Sequence, residues 1–394
     1  MTERLGVAVI GAGMAGRAHA AAWRAAPTVG TGTLPTIDLV SICDVVPDAA
    51  RTTAERFGYS RFDTDWQDIA AADDIDIVSV VVANSLHKPI VEALLGAGKH
   101  VLCEKPLTDT IPEADAMIAA AENADSIARL GFTFRRTPGL AAIADLVANG
   151  TLGPVQHVDA HYWTDYACSP TAPMSWRYQG GAGTGALADV GSHLTDSVEF
   201  VAGPITAVSG GRFHTSITER PLPLGHVTGH DHVEVSDEYE PVTNDDYAGF
   251  GVEFGTGSGT LQVSRIAAGH PNTFAIEVFC ENGSAGFDFR RPGEITLGRT
   301  SGDPTRDGLT TVQLGPAHPY FGTGVPMAAP GVGIGQNDGF TFQARAFLDE
   351  VVGRPESESY PRCATFADGL HALAVRDAVI ASAANGGAAA EVIR

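Results

Sequence analysis

Two groups of residues have the types and spacing needed for proton transfer, and the first centres on a lysine. The chain contains only Lys88, Lys99 and Lys105 against 22 arginines, and Lys105 lies in the motif "CEKPL". An ammonium in a dry pocket loses its proton readily, whereas a guanidinium stays charged. Lys105 is therefore predicted to act as an acid, a base or a proton relay, and a solvated loop lysine is the alternative.

The second group is an aspartate and a histidine in "GGAGTGALADVGSHLTD". Asp189 and His193 are four residues apart, so on a helix they share one face. A carboxylate beside an imidazole fixes its tautomer and holds its pKa near working pH, which suits a general acid or base. The glycines before the pair let backbone approach a ligand closely. The alternative is a buried, hydrogen-bonded pair without a catalytic role.

A glycine-rich turn follows the first apolar run, "LGVAVI", and opens an alanine-rich segment. In Gly11-Ala-Gly13-Met14-Ala15-Gly16, the first glycine allows a tight turn, the second lets backbone approach a pyrophosphate, and the third lets helix and strand pack closely. The helix N-terminus then faces the phosphate charge. The motif predicts a dinucleotide site that includes Met14 and Ala15, and a plain glycine turn is the alternative.

A carboxylate ends the second apolar run, in "ICD". Such a group accepts both ribose hydroxyls of adenosine and repels a 2′-phosphate, so Asp44 predicts NAD rather than NADP. No arginine follows at positions 45 or 46 to receive that phosphate. Asp44 lies 28 residues beyond Gly16 because of an insertion, "PTVGTGTLPT", whereas the usual interval is about 20. A helix cap is the alternative.

These residues need a scaffold that brings strand ends together, and residues 1–135 have the pattern of one. Apolar, β-branched runs alternate there with alanine-rich helical stretches, as in a parallel sheet covered on both faces. Doubly wound sheets bind ligands at the carboxyl ends of their strands, where these motifs stand. We therefore predict an α/β Rossmann domain over 1–135. The runs end at Ile10, Cys43, Val82, Cys103 and Phe132, and the helical stretches lie near 15–26, 47–57, 88–96 and 112–123.

Residues 136–394 have a different pattern of apolar and polar residues, which predicts a second, α+β domain. A helical stretch near 138–149 leads into longer alternating segments joined by glycine and asparagine turns, which indicate an open, mostly antiparallel sheet. Two hairpins are predicted, one across 255–259 and one with "ENGS" as its turn. Further helices are predicted near 186–202, 340–352 and 364–384.

The polar segment 221–246 is predicted to be an excursion between strands of this second sheet. It contains His226, His230 and His232, but these have glycine spacing and no partner carboxylate at a fixed helical offset. Metal ligands are grouped by type and geometry, which this spacing does not provide. No metal site is predicted.

Composition limits the class of protein. The 394 residues exceed the roughly 250–300 that one core supports, which favours two domains. A net charge of -22 repels nucleic acid and anionic membranes, and no apolar run approaches the about 18 residues of a membrane span. The five cysteines are scattered, and no secretory signal is evident. We expect a cytoplasmic protein with reduced thiols and no nucleic-acid or membrane partner.

Together, the glycine motif, Asp44, "VVANSLHKPI", "CEKPL" and "GGAGTGALADVGSHLTD" resemble the Gfo/Idh/MocA oxidoreductases over nearly the whole chain. The resemblance implies a Rossmann domain that binds NAD and a C-terminal α+β domain for substrate binding, whose open sheet builds homodimers or homotetramers. The family's E-K-P lysine falls on Lys105, and its D-x-x-x-H pair falls on Asp189 and His193. Ala83 stands where the family usually has proline.

The predicted site combines residues from both domains. Besides the glycine turn and Asp44, the predicted cofactor contacts are Asn84, His87, Glu104 and Lys105. The predicted substrate contacts are Lys105, Arg135, Trp163, Trp176, Arg177, Asp189 and His193. The tryptophans would offer a stacking platform for a sugar ring and Arg177 a fork of donors. Ordinary packing is the alternative for these three residues.

Within the family, "SWRYQGGAGTGALADVGSH", "ERPLP" and "GPAHPY" resemble the branch of levoglucosan dehydrogenase and the pyranoside 3-dehydrogenases. The resemblance implies oxidation of a secondary ring hydroxyl of a sugar, anhydrosugar or glycoside to a ketone. His193 is expected to take the hydroxyl proton, Lys105 to stabilise the alkoxide and Asp189 to orient them, with Lys105 as direct base the alternative. An inositol dehydrogenase, a glycoside hydrolase that uses NAD transiently and a non-catalytic sensor are the alternative functions.

Overall fold

The computed structural model describes residues 4–225, 227, 233–255, 257–299, 302–303, 305, 307–322 and 325–393. Within them the chain forms nine α-helices and seventeen β-strands. The strands are β1 Arg4–Ile10, β2 Thr36–Cys43, β3 Arg61–Asp63, β4 Ile77–Val80, β5 His100–Cys103, β6 Ala128–Leu130, β7 Val155–Trp163, β8 Ala207–His214, β9 Glu219–Pro223, β10 Val235–Pro241, β11 Tyr247–Phe254, β12 Gly257–Ser264, β13 Thr273–Cys280, β14 Gly283–Asp288, β15 Glu294–Arg299, β16 Gly308–Gln313 and β17 Ala390–Glu391. The α-helices are α1 Met14–Ala25, α2 Pro47–Phe57, α3 Trp66–Ala71, α4 His87–Gly96, α5 Ile111–Glu122, α6 Pro138–Ala148, α7 Ser192–Ala202, α8 Gln336–Val351 and α9 Phe366–Ala384.

Strands β1 to β6 form a parallel sheet in the order β3-β2-β1-β4-β5-β6. The chain builds outward from β1 to β3 and then returns to add β4 on the other side of β1. This is the strand order of a dinucleotide-binding fold, and it confirms the predicted Rossmann architecture. Such sheets bind their ligands outside the carboxyl ends of the strands, at the point where the order reverses.

Buried β-branched residues form the middle of this sheet. Val7 and Val9 of β1 and Ile77 of β4 are fully buried. Helices cover both faces of such a sheet, so neither face needs polar residues. That is why these strands are continuous apolar runs in the sequence.

The predicted strand ends at Ile10, Cys43 and Cys103 are confirmed. Two other strands end two residues before the predicted position, at Val80 and Leu130. The sequence pattern does not predict β3 or α3, which have three and six residues. Elements that short contain too few apolar positions to show a period.

The insertion between α1 and β2 is held by two arginines from a distant part of the chain. Arg345 of α8 is 1% exposed, and its guanidinium donates to the carbonyl oxygens of Val29 and Thr31. Arg354 also donates to the carbonyl oxygen of Thr31, at 2.6 Å. These contacts show an ordered insertion, which accounts for the long interval between the glycine turn and Asp44.

The contacts divide the chain into two compact units, and the first is discontinuous. It comprises Met1–Thr137, Pro316–Ala329 and Ile334–Leu370. Helix α8 belongs to it because Phe340 and Phe347 meet His19 and Trp23 of α1 edge-to-face. The boundary predicted at residue 135 assigns these later segments to the second domain, whereas their contacts are with the first unit.

The second unit comprises Pro138–Gly315, Pro330–Gly333 and His371–Arg394. Among the described residues its main sheet has nine strands, in the order β16-β15-β14-β13-β7-β12-β11-β8-β17. The pair β12–β7 is parallel and the others are antiparallel, which confirms the mostly antiparallel sheet. Helices α6 and α7 pack on one face, where Val158, Ala160 and Tyr162 of β7 are buried. The intervening residues of β7 lie on the other face, which is called the open face below.

The segment predicted as an excursion includes most of β9 and all of β10, which pair as a separate two-stranded antiparallel sheet. His226, His230 and His232 lie outside the described residues. In the part of the chain that is described, no three His, Cys, Asp or Glu side chains are grouped as metal ligands. No helix in that part has the length and apolar character needed to cross a bilayer.

Candidate active site

The glycine turn after β1 has the geometry that a pyrophosphate requires. Gly11 has φ +107°, and a Cβ there would lie 1.9 Å from the carbonyl oxygen of Val81, so only glycine fits. A Cβ at Gly16 would lie 1.9 Å from the carbonyl oxygen of Gly11, which reflects the close packing of α1 on β1. A Cβ at Gly13, the N-cap of α1, would meet nothing within 4 Å. This open space at a helix N-terminus can take a phosphate group.

Asp44 follows β2 and faces the glycine turn. Its Oδ2 accepts a hydrogen bond from the backbone nitrogen of Ala12 at 2.7 Å, and its Oδ1 accepts one from the nitrogen of Val46 at 2.9 Å. Val45, which follows Asp44, is 83% exposed. Met14, which follows the N-cap glycine Gly13, is 71% exposed. A carboxylate with such neighbours suits the nucleoside part of a dinucleotide.

Asn84 lies between β4 and α4, and His87 is the first residue of α4. The Nδ2 of Asn84 donates to Oδ1 of Asp109 at 3.0 Å. His87 is fully buried, with its Nδ1 3.0 Å from the carbonyl oxygen of Pro106 and its Nε2 3.2 Å from that of Val82. Burial lowers the pKa of His87, which keeps the ring neutral at pH 7. His87 thus joins the loops after β4 and β5, and its contact with the cofactor stays a prediction.

A buried hydrogen-bonded network lies beside Lys105. The Oε1 of Glu104 lies 2.9 Å from Nε2 of His19, and its Oε2 accepts a hydrogen bond from the backbone nitrogen of Lys105 at 3.1 Å. The Nδ1 of His19 lies 3.0 Å from Oγ of Ser79, which also accepts from Nε1 of Trp23 at 2.8 Å. Connected buried polar groups stiffen the chain around them. The network therefore fixes the backbone that presents Lys105.

Lys105 is half-buried and stands two residues beyond the carboxyl end of β5. Because β1, β2 and β5 lie in one parallel sheet, their carboxyl ends share an edge. The structure thus brings Gly11, Asp44 and Lys105 to the same edge of the first unit. The predicted contacts of Glu104 and Lys105 with the cofactor stay predictions.

In the second unit, Asp189 and His193 lie where a π-helical turn, Leu187–Gly191, runs into α7. The Oη of Tyr166 donates a hydrogen bond to Oδ2 of Asp189 at 3.0 Å. The ring centroids of His193 and Tyr162 are 6.4 Å apart. Single π-helical turns recur at functional sites. The predicted helix is confirmed, and the catalytic roles of Asp189 and His193 stay predictions.

A buried carboxylate fixes the start of this helix. Asp245 is 1% exposed, and its Oδ1 accepts hydrogen bonds from the backbone nitrogens of Gly183 at 2.8 Å and Gly185 at 3.0 Å. Its Oδ2 accepts one from the nitrogen of Leu187 at 2.9 Å. Charge-assisted bonds of this kind are strong, and a helix N-terminus favours a negative charge. Asp245 therefore holds both the glycine segment and the helical turn that contains Asp189.

Four further residues are predicted to contact substrate, and the side chains of two of them, Trp176 and Arg177, stack on each other. The guanidinium carbon of Arg177 lies 4.4 Å from the ring centroid of Trp176, which is 56% exposed. This exposed pair has the geometry of a stacking platform. Arg135 belongs to the first unit, where its Nη2 lies 3.2 Å from Oδ1 of Asp368. Burial raises the pKa of Asp368, but the charge of Arg135 and hydrogen bonds from Thr365 outweigh it, and the pKa stays below its usual value.

Trp163 lies on the opposite face of the sheet from Tyr162. It follows Tyr162 on β7, and successive strand residues point to opposite faces. Tyr162 faces His193, whereas Trp163 stacks on His161 with ring centroids 3.7 Å apart and meets His270 edge-to-face at 5.3 Å. The strand alternation carries Trp163 to the open face, and its contact with substrate stays a prediction.

Three supporting residues, Asp245, His19 and Tyr166, are not predicted from the sequence. Asp245 had a visible signal, since it is the middle of a polar run, "NDD", that leads directly into a strand. His19 is three residues beyond the last glycine of the motif, on the face of α1 that α8 covers. Tyr166 gave no signal, because its partner is 23 residues away in the chain.

A parallel sheet in this order, with a glycine turn and an aspartate at one edge, defines a class: an NAD-binding oxidoreductase built on a Rossmann fold. A family model described as "Oxidoreductase family, NAD-binding Rossmann fold" matches residues 5–132, and one described as "GFO/IDH/MocA C-terminal domain" matches residues 140–286. The chain belongs to the Gfo/Idh/MocA family.

Named relatives match the chain along its length. It is 32% identical over 388 residues to levoglucosan dehydrogenase of Pseudarthrobacter phenanthrenivorans, with 97% of each chain covered. It is similar to the structure "Levoglucosan dehydrogenase, complex with NADH and L-sorbose", with a TM-score of 0.88, 30% identity and 100% of each chain covered. It is also similar to an oxidoreductase domain protein from Kribbella flavida, with a TM-score of 0.88, 36% identity and the same coverage. The predictions of family, fold class and NAD as cofactor are confirmed.

Proposed function

We propose that this protein oxidises a secondary ring hydroxyl of a sugar, anhydrosugar or glycoside to a ketone and reduces NAD. The observation that carries the proposal is the full-length similarity to levoglucosan dehydrogenase. The platform of Trp176 and Arg177 supports a carbohydrate ligand, because an exposed indole offers a sugar ring apolar area and a guanidinium offers donors to its hydroxyls.

The reaction requires a base, since a secondary alcohol does not ionise unaided at neutral pH. In the proposal, His193 takes the hydroxyl proton, Lys105 donates a hydrogen bond to the same oxygen, and Asp189 orients the imidazole. The glycine turn and Asp44 hold the dinucleotide. NAD supplies the acceptor for the hydrogen that leaves carbon with its electron pair. Proton transfer directly to Lys105 is the alternative within the same reaction.

A substrate panel tests the proposal. Purified protein is mixed with NAD and with inositols, aldoses, anhydrosugars or glycosides, and the absorbance of NADH is followed. We expect net formation of NADH with an aldose, an anhydrosugar or a glycoside. Turnover of inositols alone would change the substrate class, and sugar release from a glycoside without net NADH would identify a hydrolase. No reaction with any member of the panel would contradict the proposal.

We also propose that the open face of the nine-stranded sheet builds a homodimer or homotetramer. Asp159 and Glu277 are directly opposite each other on β7 and β13 of this face, and like charges in such pairs destabilise a sheet. A partner surface with cationic groups would relieve that repulsion. The molar mass from light scattering should correspond to two or four chains, and a single-chain mass would contradict this.

The five free cysteines support a reducing, cytoplasmic location.

A further inference from the structure

The hydrogen bond between Tyr166 and Asp189 joins two segments of the second unit. Tyr166 follows β7, is partly buried, and packs against a buried cluster that includes Tyr178 and Val242. Its Oη donates to Oδ2 of Asp189 at 3.0 Å. Burial, and then the charge of Asp189, raise the pKa of Tyr166, so the phenol is neutral at pH 7 and its proton is available to the carboxylate.

A fully buried guanidinium anchors the segment that carries Tyr166. Arg220 of β9 donates from Nη2 to the carbonyl oxygen of Ala167 and from Nη1 to that of Ser169, both at 2.7 Å. Its guanidinium carbon lies 3.9 Å from the ring centroid of Tyr178. A guanidinium is costly to bury unless its donors are used. Here two of its donors fix the backbone immediately after Tyr166.

A second buried guanidinium, that of Arg265, anchors residues 244–246, which hold the helical turn that contains Asp189. Arg265 lies 4.8 Å from the ring centroid of the same tyrosine, Tyr178. Its Nε donates to Oδ1 of Asp246 and its Nη2 donates to Oδ1 of Asn244, both at 2.8 Å. Asp245, between these two residues, accepts the hydrogen bonds that fix the π-helical turn. The positions of the phenol and of the carboxylate are thus set by one connected network.

We infer that Tyr166 is a positioning residue for the proposed reaction: it holds the Asp189 carboxylate in one orientation and in its ionised form, and Arg220 fixes Tyr166 for this role. The inference rests on the proposed function. A hydrogen bond donated to a carboxylate favours its charged form. The titratable or charged groups around the pair in the described part of the chain include Tyr162 on β7, His193 on α7, and Tyr178 and Arg265 beside Tyr166.

The test removes one oxygen atom. In Tyr166→Phe the ring and its packing remain, and Asp189 loses a donor. The full chain is labelled with [4-13C]aspartate, and the Asp189 signal is assigned by its loss in Asp189→Asn. We expect the midpoint of its titration to move up by at least about half a pH unit. The matched control is Tyr59→Phe, which removes a buried phenol oxygen from the first unit. A midpoint that moves no further than in this control would overturn the inference.

Turnover provides a second readout with the sugar that the wild-type protein oxidises. We expect kcat of Tyr166→Phe to fall roughly tenfold while KM changes less than about twofold. A raised KM with an unmoved Asp189 midpoint would mean that Tyr166 binds substrate, which overturns the inference. If the wild-type protein oxidises no sugar, the proposed function fails, and the aspartate titration still decides whether Tyr166 controls Asp189.

Arg220 is tested through its effect on Tyr166. Arg220→Lys keeps the charge and loses the two-pronged contact with the carbonyl oxygens. We expect it to move the Asp189 midpoint in the same direction, by less than Tyr166→Phe does. Combining the two substitutions should add nothing to the shift in Tyr166→Phe, because Arg220 acts through the phenol. An additive shift would overturn the role of Arg220. If Arg220→Lys fails to fold, the Tyr166→Phe titration alone decides the inference.

Discussion

The carboxylate of Asp44 accepts a hydrogen bond from the backbone nitrogen of Ala12 at 2.7 Å, although 32 residues separate them in the chain. This contact places a negative charge beside the glycine turn, at the carboxyl edge of the parallel sheet. It links the carboxylate that is predicted to select the nucleotide to the backbone that is predicted to receive the phosphates.

Replacing this carboxylate should change the choice of cofactor. We expect Asp44→Ser to lower kcat/KM for NAD roughly 100-fold, since hydrogen bonds to charged groups contribute about 1.5–3 kcal/mol each. The loss with NADP should be smaller, because the charge that repels a 2′-phosphate is gone. Steady-state kinetics with both cofactors measure the ratio. Asp48→Ser, at an exposed position of α2, is the control, and an unchanged ratio in Asp44→Ser would contradict the role of Asp44.

Substitutions at two glycines of the turn should have different effects, one on NADH affinity and the other on the free energy of unfolding. A Cβ at Gly13 meets open space, whereas one at Gly16 would collide with the carbonyl oxygen of Gly11. We expect Gly13→Ala to keep the wild-type melting temperature and to lose NADH affinity. Gly16→Ala should lower the free energy of unfolding by about 1–3 kcal/mol, as overpacking does. Thermal unfolding and NADH titration measure the two effects, and normal NADH binding by Gly13→Ala would argue against a phosphate site there.

Lys105 should be required for turnover and not for stability. We expect Lys105→Met to reduce kcat by about 10²–10⁴-fold, the contribution of a positioned proton-transfer group, while NADH still binds. Lys88→Met is the matched control. The Nζ of Lys88 forms an ion pair with Oε2 of Glu92, one turn further along the surface of α4, at 2.9 Å. Turnover of Lys105→Met at the wild-type rate would remove Lys105 from the mechanism.

A double-mutant cycle tests whether Lys105 and His193 act on one oxygen. Residues that act as a unit lose their effect together, so the second substitution costs little once the first is made. We expect the loss of kcat in Lys105→Met/His193→Gln to be much smaller than the product of the two single losses. Losses that multiply would indicate independent roles and would contradict the proposed mechanism.

The buried imidazole of His87 should make stability depend on pH. Its pKa is lowered by burial, so below roughly pH 6.5 the unfolded chain binds a proton that the folded protein does not. The free energy of unfolding therefore decreases as the pH falls from there toward the folded-state pKa, by up to about 1.4 kcal/mol per unit. Denaturant unfolding between about pH 5 and 7 should show a shallower decline in His87→Gln.

The exposed His214 offers a control for this measurement, since His214→Gln removes an imidazole without disturbing the core. An equal slope in wild-type protein and His87→Gln would show that another group causes the pH dependence.

The first unit could be predicted closely from the sequence, because its strands are buried on both faces and its candidate ligand residues stand at strand ends. Even the unusual interval before Asp44 follows from an insertion that is visible in the sequence, and Arg345 and Arg354 hold this insertion in place. What the sequence did not reveal is the return of α8 to this unit, since no local pattern shows which helix covers His19 and Trp23.

The second unit could be predicted in type but not in detail. Tyr162 and Trp163 are both aromatic, so composition does not tell which of them faces α7. The contacts that support Asp189 and its helix join residues far apart in the chain, as Tyr166 and Asp245 show. Contacts of this kind follow from the packing of the sheet, and no periodicity in the sequence encodes them.

The late return of α8 to the nucleotide-binding unit limits how this half can be transplanted. A fragment ending near residue 135 would leave the α1 surface around Trp23 uncovered and the insertion without Arg345. Such a fragment therefore cannot be moved into another protein as a complete cofactor-binding domain. A chimaera that exchanges cofactor preference between relatives must carry residues 334–370 along.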